Sequence, residues 1–214
     1  MCGIFGIFSP TADEVTALVI ANRQRGNQGI GLVYFTPTGK YIKRGHSMEE
    51  VIDEALLGEG TLVLGHLVSP TSRTDDIHPL EHEPWTLAHN GILLNFKEFK
   101  DYADINEELD SAYLLSAICK GKSSDAIENI ANGISLFEGQ QTCWMIEEKE
   151  PDAYLIYVWR VMSSLYQGQL NDKFAFSSVK YYMINNKVKQ NELYVLKEHG
   201  LEFTSKLSPI NSYI

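Results

Sequence analysis

Cys2-Gly3-Ile4-Phe5-Gly6-Ile7-Phe8 stands directly behind the initiator methionine, and Ser9-Pro10 closes it. A short apolar run bounded by turn residues predicts a buried strand. Cys2 then carries two readings. It is either a small apolar residue opening that strand or a nucleophile. Removal of Met1 would leave a thiol and a free α-amine on the same residue. The amine, with a pKa of about 7.7 to 8, can take the proton from Sγ directly or through one water.

Outward from this stretch, Thr11-x-x-Glu14 predicts a capped helix with Val15, Leu18 and Val19 on one face and a stop near Gly26. Arg25-Gly26-Asn27-Gln28-Gly29-Ile30-Gly31 is a glycine-rich turn of neither the GxGxxG nor the P-loop pattern. It leads into a hairpin of Leu32 to Phe35 and Lys40 to Lys43 across Pro37-Thr38-Gly39. Ser47-x-x-Glu50 predicts a short helix through Val51, Ile52, Ala55 and Leu56, ended by Gly58. Thr61 to His66 reads as a strand entering an irregular loop from Ser69 to Pro84, which carries Arg73, Asp75, Asp76, His78 and His82. Trp85 to Ala88 is a further strand, delivering His89-Asn90-Gly91 to a turn at its end. Asn95-x-x-Glu98 begins a helix, and two more follow near Asp110 to Cys119 and Ser124 to Phe137. From Gln140 the pattern returns to strands at Thr142 to Ile146, Ala153 to Arg160, Phe174 to Ser177 and Glu192 to Leu196. Strands on either side of a helical middle predict an α+β layered architecture in a single domain spanning 1–214.

The 214 residues carry 28 acidic against 18 basic side chains, a formal charge of −10. That field opposes binding to phosphate backbones, so nucleic acid is excluded as a partner on charge. No apolar run approaches a membrane span and no basic leader precedes Cys2. Three cysteines, Cys2, Cys119 and Cys143, are too few and too widely spaced for a disulfide framework or a CxxC metal site, which points to a reducing cytoplasm. His78 and His82, with His66 and His89, make a zinc site conceivable, but Pro79 and Pro84 disfavour a regular helix there and no further ligand set completes it. Cys119 and Cys143 fall inside apolar patterns, where structural thiols belong. No cofactor is expected.

Cys2-Gly-Ile-Phe-Gly, Arg25-Gly26, Gly65-His66, His78-Pro79, Ala88-His89-Asn90-Gly91-Ile92 and Leu109-Asp110-Ser111 occur in one order. With this set, and with Phe176-Ser177-Ser178 as a weaker later match, the chain resembles the class II glutamine amidotransferase domain, an N-terminal nucleophile hydrolase. The resemblance implies a four-layer αββα sandwich of two antiparallel sheets with Cys2 at the end of a central strand. It also implies that Cys2 attacks the glutamine side-chain amide to give a γ-glutamyl thioester and ammonia. Asn90 and the Gly91 N–H would form the oxyanion hole, Asp110 would hold the substrate ammonium, and Arg25 would support the nucleophile loop.

The chain departs from the family at two points. The family's Gly-His-x-Arg, whose arginine clamps the glutamine α-carboxylate, is Gly65-His66-Leu67-Val68 here, and a valine cannot pair a carboxylate. Thr71, Ser72 and Arg73, the last five residues beyond Val68, are the candidate replacements. Gln28 stands where the family commonly has Asp. Val68 keeps open a hydrolase of another amide, and a non-catalytic regulatory scaffold of the same fold is a third reading. Family enzymes spend the ammonia on an acceptor in an attached domain. The expected partner here is therefore a separate acceptor-activating synthase or synthetase subunit.

Overall fold

The computed structural model describes residues 2–69, 77–102, 108–150 and 153–209. They fall into two compact units, each assembled from discontinuous segments: Met1–Pro79, Ser164–Val188 and Lys197–Gly200 in the first, Leu80–Ser163, Lys189–Leu196 and Leu201–Ile214 in the second.

The first unit is built on β1 (Gly3–Phe8), α1 (Ala12–Asn22), β2 (Gly29–Thr36), β3 (Gly39–Gly45), α2 (Met48–Val51) and β4 (Leu62–Val68). The expected strand at the head of the chain is therefore present, and β1 pairs antiparallel with β4 on one side. Strand alternation turns Phe5 and Ile7 toward Val15, Leu18 and Val19 of α1, where all are fully buried. Thr11 and Glu14 form the predicted capping box: Thr11 N–H donates to Glu14 Oε2 at 2.8 Å and Glu14 N–H to Thr11 Oγ1 at 3.3 Å. Lys173 Nζ adds an ion pair to the same Glu14 carboxylate at 2.7 Å. The helix expected from Ser47 differs. Ser47 makes no capping bond, α2 is one turn long, and a separate 3-10 turn, Glu54–Leu56, follows with Asp53 as its cap.

The second unit contains β5 (Leu80–His82), β6 (Trp85–Leu93), α3 (Asp110–Cys119), α4 (Ala126–Ser135), β7 (Gly139–Glu150) and β8 (Ala153–Val161). The chain then supplies β9 (Tyr166–Leu170), β10 (Lys173–Ser177) and β11 (Asn186–Lys187) to the first unit's sheet, and β12 (Glu192–Lys197) and β13 (Gly200–Lys206) to the second's. The resulting orders are β11-β9-β10-β1-β4-β2-β3 and β13-β12-β8-β7-β6-β5. In the second unit α3 and α4 bury Leu114, Ile118, Ile130 and Ile134 with Leu87, Met145 and Trp159 of the sheet. Each sheet thus has its own helical layer, with antiparallel pairing through β9-β10-β1-β4-β2-β3 in one and β12-β8-β7-β6-β5 in the other.

Two further expectations are corrected. The segment from Ser69 to Pro84 is not all loop, because Leu80–His82 pairs with Trp85–Leu87 as an edge strand. The helix expected from Asn95 is two 3-10 turns, Phe96–Glu98 and Lys100–Tyr102.

Candidate active site

Cys2 sits at the head of β1, the middle strand of the seven-stranded sheet, and is 8% exposed. Ser69 N–H donates to its Sγ at 3.4 Å. Arg25 Nε donates to its carbonyl at 3.1 Å, while Nη1 reaches Ser164 Oγ at 2.6 Å and Ser178 O at 3.3 Å. Burial pulls the Arg25 guanidinium below its ordinary value, and negative charge at Cys2 and Tyr166 opposes that shift. A guanidinium remains protonated in either case, so Cys2 lies beside a fixed positive charge. The glycine-rich turn serves the same region, because Gln28 N–H donates to Val68 O at 3.1 Å and so anchors the end of β4 next to Ser69. Within this unit Cys2, Arg25 and Ser69 are brought together. Thr71, Ser72 and Arg73 lie outside the described residues.

In the second unit Asn90 and Gly91 are not a turn, as expected from the sequence, but lie inside β6 and pair with Thr142 and Gln141 of β7. The twelve-residue partner strand overrides the local turn preference of Asn-Gly. Gly91 is required by this packing. A Cβ there would fall 1.8 Å from Gln140 O. The Asn90 side chain is 0% exposed, and neither Oδ1 nor Nδ2 has a hydrogen-bond partner among the described residues. Leaving such a group unsatisfied costs about 1–3 kcal/mol.

Asp110 opens α3, where its two carboxylate oxygens accept from Leu93 N–H and Ser111 N–H, each at 2.8 Å. The first bond ties α3 to the end of β6, so Asn90, Gly91 and Asp110 share one strand-helix junction. Ser111 Oγ in turn lies 2.8 Å from His89 Nδ1.

The other titratable groups have structural surroundings. His66 Nε2 and His78 Nδ1 are 3.0 Å apart and buried. No group of three or more His, Cys, Asp or Glu among the described residues is placed to hold a metal ion. Burial pushes the Cys119 thiol up to about 12 and, with a smaller contribution from Asp110, pushes Cys143 well above its ordinary value. Both are neutral thiols at physiological pH. No helix among the described residues is long and apolar enough to cross a membrane.

Reading the sequence alone misses Ser69, Ser164 and Asn22, whose side chains or backbone groups surround the Cys2 segment from distant positions. Arg25, and Ser178 as part of the Phe176-Ser177-Ser178 match, are legible in the sequence. Asn22 leaves a faint signal, an amide four residues after Leu18 on the apolar side of α1.

No family model matches the chain. In sequence it is 27% identical over 172 residues to the glutamine–fructose-6-phosphate aminotransferase [isomerizing] of Chlamydia abortus, covering 72% of this chain and 28% of that protein. The enzyme of the same name from Halalkalibacterium halodurans is 26% identical over 187 residues, with coverages of 78% and 30%. The chain thus spans less than a third of the length of these relatives. In structure it is similar to the glutamine phosphoribosylpyrophosphate amidotransferase of B. subtilis complexed with ADP and GMP, at TM-score 0.77 and 18% identity over 97% of this chain and 49% of that one. A glutamine aminotransferase class-II domain protein from Silicibacter pomeroyi matches at TM-score 0.59 and 12% identity, over 97% and 100% of the two chains. At such identities the solved structures establish the fold alone. Two antiparallel sheets of this topology give the chain the fold of these glutamine amidotransferase structures, and its sequence is similar to part of the glutamine–fructose-6-phosphate aminotransferases.

Proposed function

We propose that the chain hydrolyses the side-chain amide of glutamine, with Cys2 as nucleophile and its own α-amine as base once Met1 is removed. The observation that carries this reading is Asn90, a buried carboxamide with no partner among the described residues, in the same strand as Gly91. A purely structural asparagine at that depth would be hydrogen-bonded. A preorganised donor held ready for charge that develops only during reaction is what an oxyanion site requires.

The steps follow from the residues. The amine takes the Sγ proton, and the thiolate adds to the amide carbon. By the resemblance, Asn90 Nδ2 and Gly91 N–H would be the donors to the oxyanion. The C–N bond then breaks as the amine returns its proton to departing ammonia, leaving a γ-glutamyl thioester that water converts to glutamate and free thiol. Arg25 and Ser69 N–H favour the thiolate. Asp110 retains acceptor capacity beyond its two backbone bonds and would take the substrate ammonium. Arg73, with Thr71 and Ser72, would receive the α-carboxylate in place of the side chain that Val68 does not provide. Changing Arg73 to Ala should then raise KM for glutamine.

Val68 also favours a second reading. Its side chain is apolar and 1% exposed, so position 68 offers no carboxylate clamp, and a hydrolase of another amide is compatible with the same nucleophile. The test is ammonia and glutamate release from glutamine, set beside a panel of γ-glutamyl and acyl amides. Intact mass defines the N-terminus, and Cys2→Ala serves as control. Release from glutamine alone selects the first reading. Release only from another amide selects the second, and no release by a chain with free Cys2 removes both.

For the ammonia we propose a separate acceptor-activating synthase or synthetase subunit in the cytoplasm. Copurification from the native host tests it.

A further inference from the structure

Outside the reacting groups, the first unit holds a chain of buried polar side chains that ends on the strand carrying Cys2. Asn22, the last residue of α1, is 0% exposed. Its Nδ2 donates to Leu18 O at 2.9 Å and to Ser177 Oγ at 2.9 Å, which fixes the orientation of the amide and leaves Oδ1 as an acceptor. Ser178 Oγ donates to that Oδ1 at 3.0 Å. The same hydroxyl lies 3.3 Å from Ile4 O, and its oxygen accepts from Ile4 N–H at 2.9 Å. Ser178 N–H closes the pair by donating to Ile4 O, also at 2.9 Å. Both backbone polar groups of Ile4 are therefore held by one serine, two residues from Cys2.

The same serine reaches the other side of Cys2. Ser178 O accepts from Ser164 Oγ at 2.8 Å and from Arg25 Nη1, and Arg25 Nε holds Cys2 O. Gly3 makes the approach possible, since a Cβ at that position would lie 3.0 Å from the Asn22 side chain. The geometry points to Asn22 and Ser178 as positioning residues: they set the axial placement of β1 against α1, and through it the direction in which Cys2 presents its thiol. Neither touches the reacting atoms, so the effect runs through the backbone of residues 2 to 4. This rests on the assignment of Cys2 as nucleophile but not on glutamine as the amide.

The test compares Asn22→Leu, Ser178→Ala and the double variant with Asn129→Ala in the full chain carrying free Cys2. Asn129 is likewise a mostly buried asparagine, tying α4 to Ser123 through bonds of 2.8 and 3.0 Å, with no hydrogen bond to β1 among the described residues. Each of the first two variants is expected to lower kcat for amide hydrolysis roughly 10- to 100-fold, with KM kept within about twofold. The double variant should be no worse than the more damaging single, because both act along one path. The rate of Cys2 alkylation by iodoacetamide at fixed pH, followed by mass spectrometry, should fall in parallel. Asn129→Ala should lower Tm comparably and leave both rates unchanged. If alkylation and kcat stay at wild-type values in the first two variants, or fall equally in Asn129→Ala, the positioning role is wrong. Ser178→Ala removes one hydroxyl at nearly constant volume and decides the matter should Asn22→Leu not fold. Alkylation needs no amide substrate, so it still reads positioning if glutamine proves not to be hydrolysed.

Discussion

The surroundings of Cys2 and of Asn90 are built in opposite ways. Around Cys2, the hydrogen bonds described here connect groups to one another: Arg25 holds its carbonyl, Ser69 faces its sulfur, and Ser178 holds the next peptide but one. Around Asn90 the backbone is paired on β7 while the side chain is buried with neither polar atom matched among the described residues. A saturated network fixes where an atom points. An open polar group costs stability and is retained where a ligand completes it. The difference teaches that position is supplied at Cys2 and unspent hydrogen-bonding capacity at Asn90.

The contrast can be broken most sharply at the sulfur. Cys2→Ala should reduce amide hydrolysis to background while leaving the unfolding free energy within about 1 kcal/mol of wild type, since only one buried sulfur is lost; ammonia release and denaturant unfolding measure the two. Asn90→Leu should separate activity from stability in the other direction. Loss of one oxyanion donor should lower kcat by about 10²- to 10³-fold, whereas replacing an unpaired amide by an apolar group of similar size should stabilise the fold by about 1 kcal/mol or more. A variant that loses both activity and stability would show that the amide has a structural partner after all. Gly91→Ala tests the backbone beside it. A Cβ placed 1.8 Å from Gln140 O forces β6 from β7 and should cost on the order of 1–3 kcal/mol, read from denaturant midpoints.

The smallest expected effect lies at the other end of β1's helix. Burial pushes the Glu14 carboxyl up, but hydrogen bonds from Lys173, the Thr11 N–H and Asn171 outweigh it and hold the group below its ordinary value. Stability from Glu14 is therefore fully present above the unfolded carboxylate value, about 4.3, and is lost as pH falls through the folded one. Glu14→Gln should cost about 1 kcal/mol at neutral pH, and the gap to wild type should close on acidification below about pH 4. A gap constant with pH would assign the loss to packing.

Much of this was legible from particular residues. Ile4, Phe5, Ile7 and the Thr11-Glu14 box announce β1 and α1 because local periodicity and a local cap both act within a few residues. Asp110 to Cys119 reads as a helix for the same reason. His89-Asn90-Gly91 reads as a functional motif but was misplaced in the fold, since an Asn-Gly pair favours a turn until a long neighbouring strand takes up its backbone groups. β9 and β13 escaped notice because Tyr166 to Leu170 and Gly200 to Lys206 are polar and half-exposed, and lack the apolar pattern on which strand reading depends. Ser47 failed as a cap because the helix it was to start is broken after a single turn, at Ile52.

The residue types and their order alone determined the chemistry on offer: a thiol that can become N-terminal, an amide donor followed by glycine, an acid opening a helix, and a valine where a carboxylate clamp was expected. Tertiary structure alone decided which of these are supported and which are left open. Asn22, Ser164 and Ser178 meet the Cys2 segment from as far as 176 residues away in the chain, Ser178 bonding to Ile4 across a separation of 174. No local pattern records such contacts, because hydrogen-bond satisfaction is a property of the folded neighbourhood.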